Sequence, residues 1–173
     1  MLKAFGPFVA LLMSVSSIYA QTTDPQTEGA RQVVGLFAKT CLRFADDSAA
    51  LRDFLKGMHV PELTPQGQAI FLRDRRGVGF DASNKVTRLA IVSEDNGVCT
   101  VFAGRADISQ IAALTESAVK SRGLQLTQQG ERGTGSALTH FYGVTINGRD
   151  FKPVVSVNLT PDAAIQTALT LSP

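Results

Sequence analysis

Two cysteines, two histidines and one arginine cluster are the side chains of this 173-residue chain best equipped for chemistry. Cys41 and Cys99 stand far apart. Redox-active pairs sit close together, as in C-x-x-C, so this spacing points to a structural disulfide in an oxidising compartment and away from a reactive dithiol. His59 falls where a helix-like stretch ends, and a helix C-terminus favours a cationic ring, so it reads as a surface capping residue. His140 lies in the strand-like run Leu138-Thr139-His140-Phe141-Tyr142. With Phe141 turned to the core, His140 faces solvent or a groove. It is the one candidate general acid or base. With Ser and Asp residues, Ser136 of the Gly-rich stretch 130–136 among them, it would make a small hydrolase. Gly133-Thr134-Gly135-Ser136-Ala137 lacks the residue order of a nucleophile elbow. Arg73, Arg75 and Arg76, with Asp74 among them, either hold an anion or form an ordinary solvated turn. No Cys/His cluster and no calcium-loop spacing is present, so neither a metal nor a cofactor is expected.

Composition narrows the partners. With 17 basic and 15 acidic residues the net charge is only +2, too little for the basic stripe that nucleic acid requires. The first twenty residues, MLKAFGPFVALLMSVSSIYA, have a basic n-region at Lys3, a short apolar run and a small residue at the end. That pattern is a secretory signal peptide cleaved after Ala20, and it places the mature chain in the periplasm or outside the cell. No later apolar run is long enough to span a membrane. Residues 21–27 read as a flexible lead-in, and 28–173 as a single domain.

The elements that must carry these side chains follow from period and punctuation. Val33, Val34, Phe37, Cys41 and Phe44 recur at helical spacing, so a first helix bears Cys41. Asp46, Asp47 and Ser48 cap a second, with Leu51, Phe54, Leu55 and Met58 on its apolar face. Pro61, Pro65 and Gly67 mark a loop. Residues 69–72 and 78–81 are short strand candidates. Residues 88–93 and 98–103 flank Asn96-Gly97, a signal for a hairpin with a type I′ turn. Asp107 caps a third helix that Gly123 ends. Residues 124–128 alternate like a strand, 129–135 are too Gly-rich to pack, and a second Asn-Gly hairpin joins 138–146 to 151–159. Pro153 suggests an edge or a bulge there. The tail, residues 163–172, fits helix or strand; its alternation of Ile165, Thr167, Leu169 and Leu171 favours a strand. The sum is an α+β domain: a largely antiparallel sheet of six to seven strands in two meanders, with two N-terminal helices and one central helix on one face. Phe71, Phe80, Phe102, Phe141, Tyr142 and Phe151 all fall on predicted strands. Those the core does not use, Tyr142 included, join Arg73, Arg75 and Arg76 as candidate binding residues on an uncovered sheet face.

Gly77-Val78-Gly79-Phe80, the stretch LAIVSEDNGVCTVFAGRAD (89–107) and the closing HFYGV…VVSVNLTPDAAIQTALTLS resemble a group of uncharacterised secreted proteins and lipoproteins of Gram-negative bacteria. The most specific part is Asp95 to Asp107. The resemblance implies an envelope address and a bond between Cys41 and Cys99, and assigns no activity to any residue. This chain lacks the lipobox cysteine of the lipoprotein members. The expectation is therefore a non-enzymatic exported domain that binds a protein or envelope component through a sheet face.

Overall fold

The computed structural model describes residues 24–160 and 162–173. The signal-peptide reading and residues 21–23 of the lead-in lie outside the described residues. Helix α1 (Pro25–Lys39) starts eight residues before Val33, the first residue of the apolar stripe, because the Asp24 carboxylate accepts the Thr27 N–H and Pro25 supplies a pre-set first turn. Residues 25–27 are thus helical and not part of a flexible lead-in. The helix ends at Lys39, so Cys41 sits in the turn that follows it and not on the helix. Helix α2 (Ser48–Gly57) is capped by Asp47 and buries Leu51 and Leu55, while Met58 stays exposed.

The segment 61–72 departs most from expectation. Residues 65–72 form helix α3 (Pro65–Leu72), so Ala69–Leu72 is helical and not a strand. Thr64 accepts the Gly67 N–H and Pro65 occupies the first turn, a start signal that was present in the sequence. Tertiary contacts then hold this short helix. The Gln68 side-chain amide accepts the Gly79 N–H at 2.8 Å and donates to the Gly79 carbonyl at 3.0 Å, as a neighbouring strand would.

Strands β1 (Gly77–Asp81), β2 (Leu89–Glu94), β3 (Cys99–Ala103), β4 (Thr127–Thr134), β5 (Ala137–Ile146), β6 (Arg149–Asn158) and β7 (Thr167–Ser172) form one antiparallel sheet in the order β1-β2-β3-β7-β6-β5-β4. The tail is a strand, inserted between β3 and β6 with Thr167, Leu169 and Leu171 buried. The Gly-rich stretch 129–135 pairs along β5 as most of β4, with a bulge between Gln128 and Gly130. β5 offers it a free edge, and pairing that edge outweighs the weak strand preference of glycine. Pro153 is on an interior strand, not an edge; its lack of an N–H coincides with a break in the β5–β6 ladder opposite Tyr142 and Gly143.

The two Asn-Gly turns differ. Asn147 (φ 52°) and Gly148 (φ 76°) make the two-residue type I′ turn. At the first hairpin only Gly97 is left-handed (φ 88°). Its N–H donates to the Glu94 carbonyl, and the Glu94 N–H donates to the Val98 carbonyl. That is a three-residue loop with a type I turn and a bulged glycine, correcting the type I′ expectation.

Helix α4 (Ile108–Lys120) is capped by Asp107 and buries Ile111, Thr115 and Val119. One core gathers α1, α2 and α4 with the residues of one sheet face, Val101, Leu169 and Val155 along a single row. Cys41 is bonded to Cys99 across a Cα–Cα distance of 5.4 Å, tying the turn after α1 to β3. No helix among the described residues is long and apolar enough to cross a membrane.

Candidate functional site

The predicted site residues do not converge. His59 takes a left-handed conformation (φ 57°) beyond α2, its backbone N–H donating to the Lys56 carbonyl, and stays on the surface. His140 and Tyr142 point to the core side of the sheet and Phe141 to the other, the reverse of the sequence expectation. The row Val101, Leu169, Val155, His140 establishes this. His140 Nδ1 lies 3.0 Å from Glu131 Oε2 on β4. No serine, threonine or cysteine side chain hydrogen-bonds His140 among the described residues. Tyr142 is buried; its hydroxyl lies 3.5 Å from Glu116 of α4. Desolvation raises the Tyr142 pKa above its ordinary value of 10.0, and Glu116 and Glu131 push it the same way, because both oppose a phenolate. This tyrosine is a core residue and not part of an open binding face.

The arginine cluster divides by role. The Arg75 guanidinium donates to the Phe71 and Leu72 carbonyls (3.0 and 3.2 Å), closing the C-terminus of α3, and pairs with the buried Glu94 carboxylate at 3.2 Å. Its charge is committed. Arg76 accepts the Asp95 N–H through its backbone carbonyl and is exposed. Arg73 ends α3 in a left-handed conformation (φ 54°), and its side chain has no hydrogen bond or ion pair among the described residues.

The arrangement with binding capacity lies on the face opposite the core, beside α3. Phe71 packs its ring 5.0 Å from that of Phe102 of β3. Two adjoining cavities of about 330 and 370 Å³ share Ile70, Phe71, Phe102 and Ile165 as walls. Ile70 is 59% exposed there, beside three further apolar side chains of the groove wall. From Thr170, in the groove wall, the same face continues to Val154 in one row and carries Ala168 and Ser156 in the next. These side chains are half-buried, and no helix of the core lies on them. The sequence pattern puts Phe71 on a strand and Ile165 in the alternation of the tail, and gives Ile70 no role. The apolar pair Ile70-Phe71, directly after a Thr-Pro helix start, was the available signal.

A larger cleft of about 670 Å³ opens at the break in the β5–β6 ladder. In its wall Thr145 donates to Asp150 at 2.7 Å. Among the described residues no three Cys, His, Asp or Glu side chains come together to hold a metal. Comparison of the chain with family models, with curated proteins and with solved structures found no match.

Proposed function

We propose that this protein is an exported, non-enzymatic binding domain of the bacterial envelope, working through the groove between α3 and strands β3 and β7. The carrying observation is Ile70. It stands exposed beside Phe71, Phe102 and Ile165 on a sheet face outside the core, in a domain that the Cys41–Cys99 bond and a single packed core make rigid. A groove that is apolar before anything binds favours an extended apolar ligand, because desolvating its walls costs little. A disulfide in the core fits an oxidising compartment. Membership of the secreted Gram-negative group, resting on the residues quoted above, belongs to the same proposal.

Titration with the neutral fluorophore N-phenyl-1-naphthylamine tests this. The wild type gives saturable binding, and Ile70→Glu, an exposed substitution that leaves the core intact, abolishes it. Equal binding by both chains would refute the groove. The contact between His140 and Glu131 supports the competing hydrolase reading, since a carboxylate holding Nδ1 leaves Nε2 to act as a base. Without a nucleophile beside it, that reading ranks second. Activity on a hydrolase panel that vanishes in His140→Ala would reverse the order.

A further inference from the structure

We infer that the occupant of this groove is a single-chain fatty acid, its hydrocarbon lying along β3 and its carboxylate held by Arg73. The inference rests on the groove reading and adds the chemistry of the ligand. The groove follows the chain from Val98 to Gly104, about 20 Å at the usual rise of an extended strand. Ile70, Phe71, Phe102 and Ile165, shared by its two halves, form an apolar middle that suits an alkyl chain. Its two ends differ in charge. At one end Arg88 and Asp81 both line the wall, so that end carries no net charge although no ion pair joins the two. At the other stand Arg73 and Arg75. Arg75 is already matched by Glu94 and by the two carbonyls it closes. Glu94 and the α3 carbonyls thus have their counter-charge, and Arg73 is left over. Asp74, the next residue, does not line the groove. One unmatched guanidinium presents a planar fork of donors, the complement of one carboxylate. The groove therefore selects for an amphiphile with a single negative head at the Arg73 end.

Calorimetric titration with dodecanoate, dodecanol and dodecyltrimethylammonium, which share a chain and differ in charge, decides the question. The wild type should take one dodecanoate per chain, about fivefold tighter than dodecanol, since an exposed ion pair contributes little more. The cationic probe should bind more weakly than dodecanol. Arg73→Glu should invert that order, and Ile70→Ser should weaken all three probes alike. Salt should shrink the preference for dodecanoate without touching dodecanol. If all three bind equally and Arg73→Glu changes nothing, the carboxylate inference falls while the groove stands. If none binds, or Ile70→Ser is without effect, the groove reading falls as well. Sedimentation with phosphatidylglycerol vesicles without binding of dodecanoate would also overturn the inference, because the anion would then be a membrane and not a free chain.

Discussion

Cutting the link between Cys41 and Cys99 should cost a large part of the stability of this domain. The bond closes a span of 58 residues, and the loss of loop-closure entropy in the unfolded chain is about 4 kcal/mol on the chain-entropy model. Both sulfurs are deep in the core, Cys41 fully enclosed and Cys99 only 5% exposed. Cys41→Ser therefore also leaves a hydroxyl and a free thiol without water, a further penalty of about 1 kcal/mol. The chain has no tryptophan, so urea unfolding is best followed by far-UV circular dichroism. With a slope of about 2 kcal/mol per molar, typical of a domain of this size, the midpoint should fall by about 2 M. Cys99→Ser and the double variant should fall by the same amount, and reduced wild type should join them. Two results would refute the reasoning: single losses that add up in the double variant, or a reduced wild type within about 1 kcal/mol of the oxidised one.

Three further outcomes follow from particular contacts. A chain lacking residues 1–20 keeps Tyr142 as its sole tyrosine, so absorbance near 295 nm reports its ionisation directly. The native midpoint should lie above 10.0 and return towards 10.0 in urea. Because the folded pKa is the higher one, the associated stability is complete below pH 10 and disappears as pH rises through the folded value; Tyr142→Phe should flatten that alkaline loss. In α1, Gly29→Ala should destabilise by about 1–3 kcal/mol, since a Cβ would run into the Arg105 carbonyl, whereas Gly35→Ala, with nothing nearby, should stabilise by about 0.5–1 kcal/mol; thermal melts of the pair should move in opposite directions. Arg75→Ala should cost about 1–2 kcal/mol in urea unfolding, because it strands the buried Glu94 and uncovers the end of α3, and an unchanged midpoint would show that the ion pair is idle.

What could be read from the residues alone was whatever a few neighbours encode. Asp47 and Asp107 each cap a helix because the acceptor and the N–H it satisfies lie within three positions. Asn147-Gly148 sets a type I′ turn because both conformations it needs are local. The alternation from Ile165 to Leu171 made β7 legible, and the separation of Cys41 from Cys99 pointed to a structural bond. Where a local signal had two solutions the sequence was insufficient: Asn96-Gly97 closes its hairpin through a bulged glycine.

The tertiary structure decided the rest. Helix α3 has eight residues, too few to persist alone, and exists because Gln68 bonds to Gly79 and Phe71 meets Phe102. β4 is a strand because β5 offers an edge. The insertion of β7 between β3 and β6 fixed which face each strand turns to the helices, and so buried Tyr142 and left Phe102 beside an open groove. That groove joins a helix near residue 70, a strand near 100 and a turn near 165. Turn and cap signals act over a few residues, whereas a surface assembled from three distant segments depends on long-range pairing that no local pattern specifies.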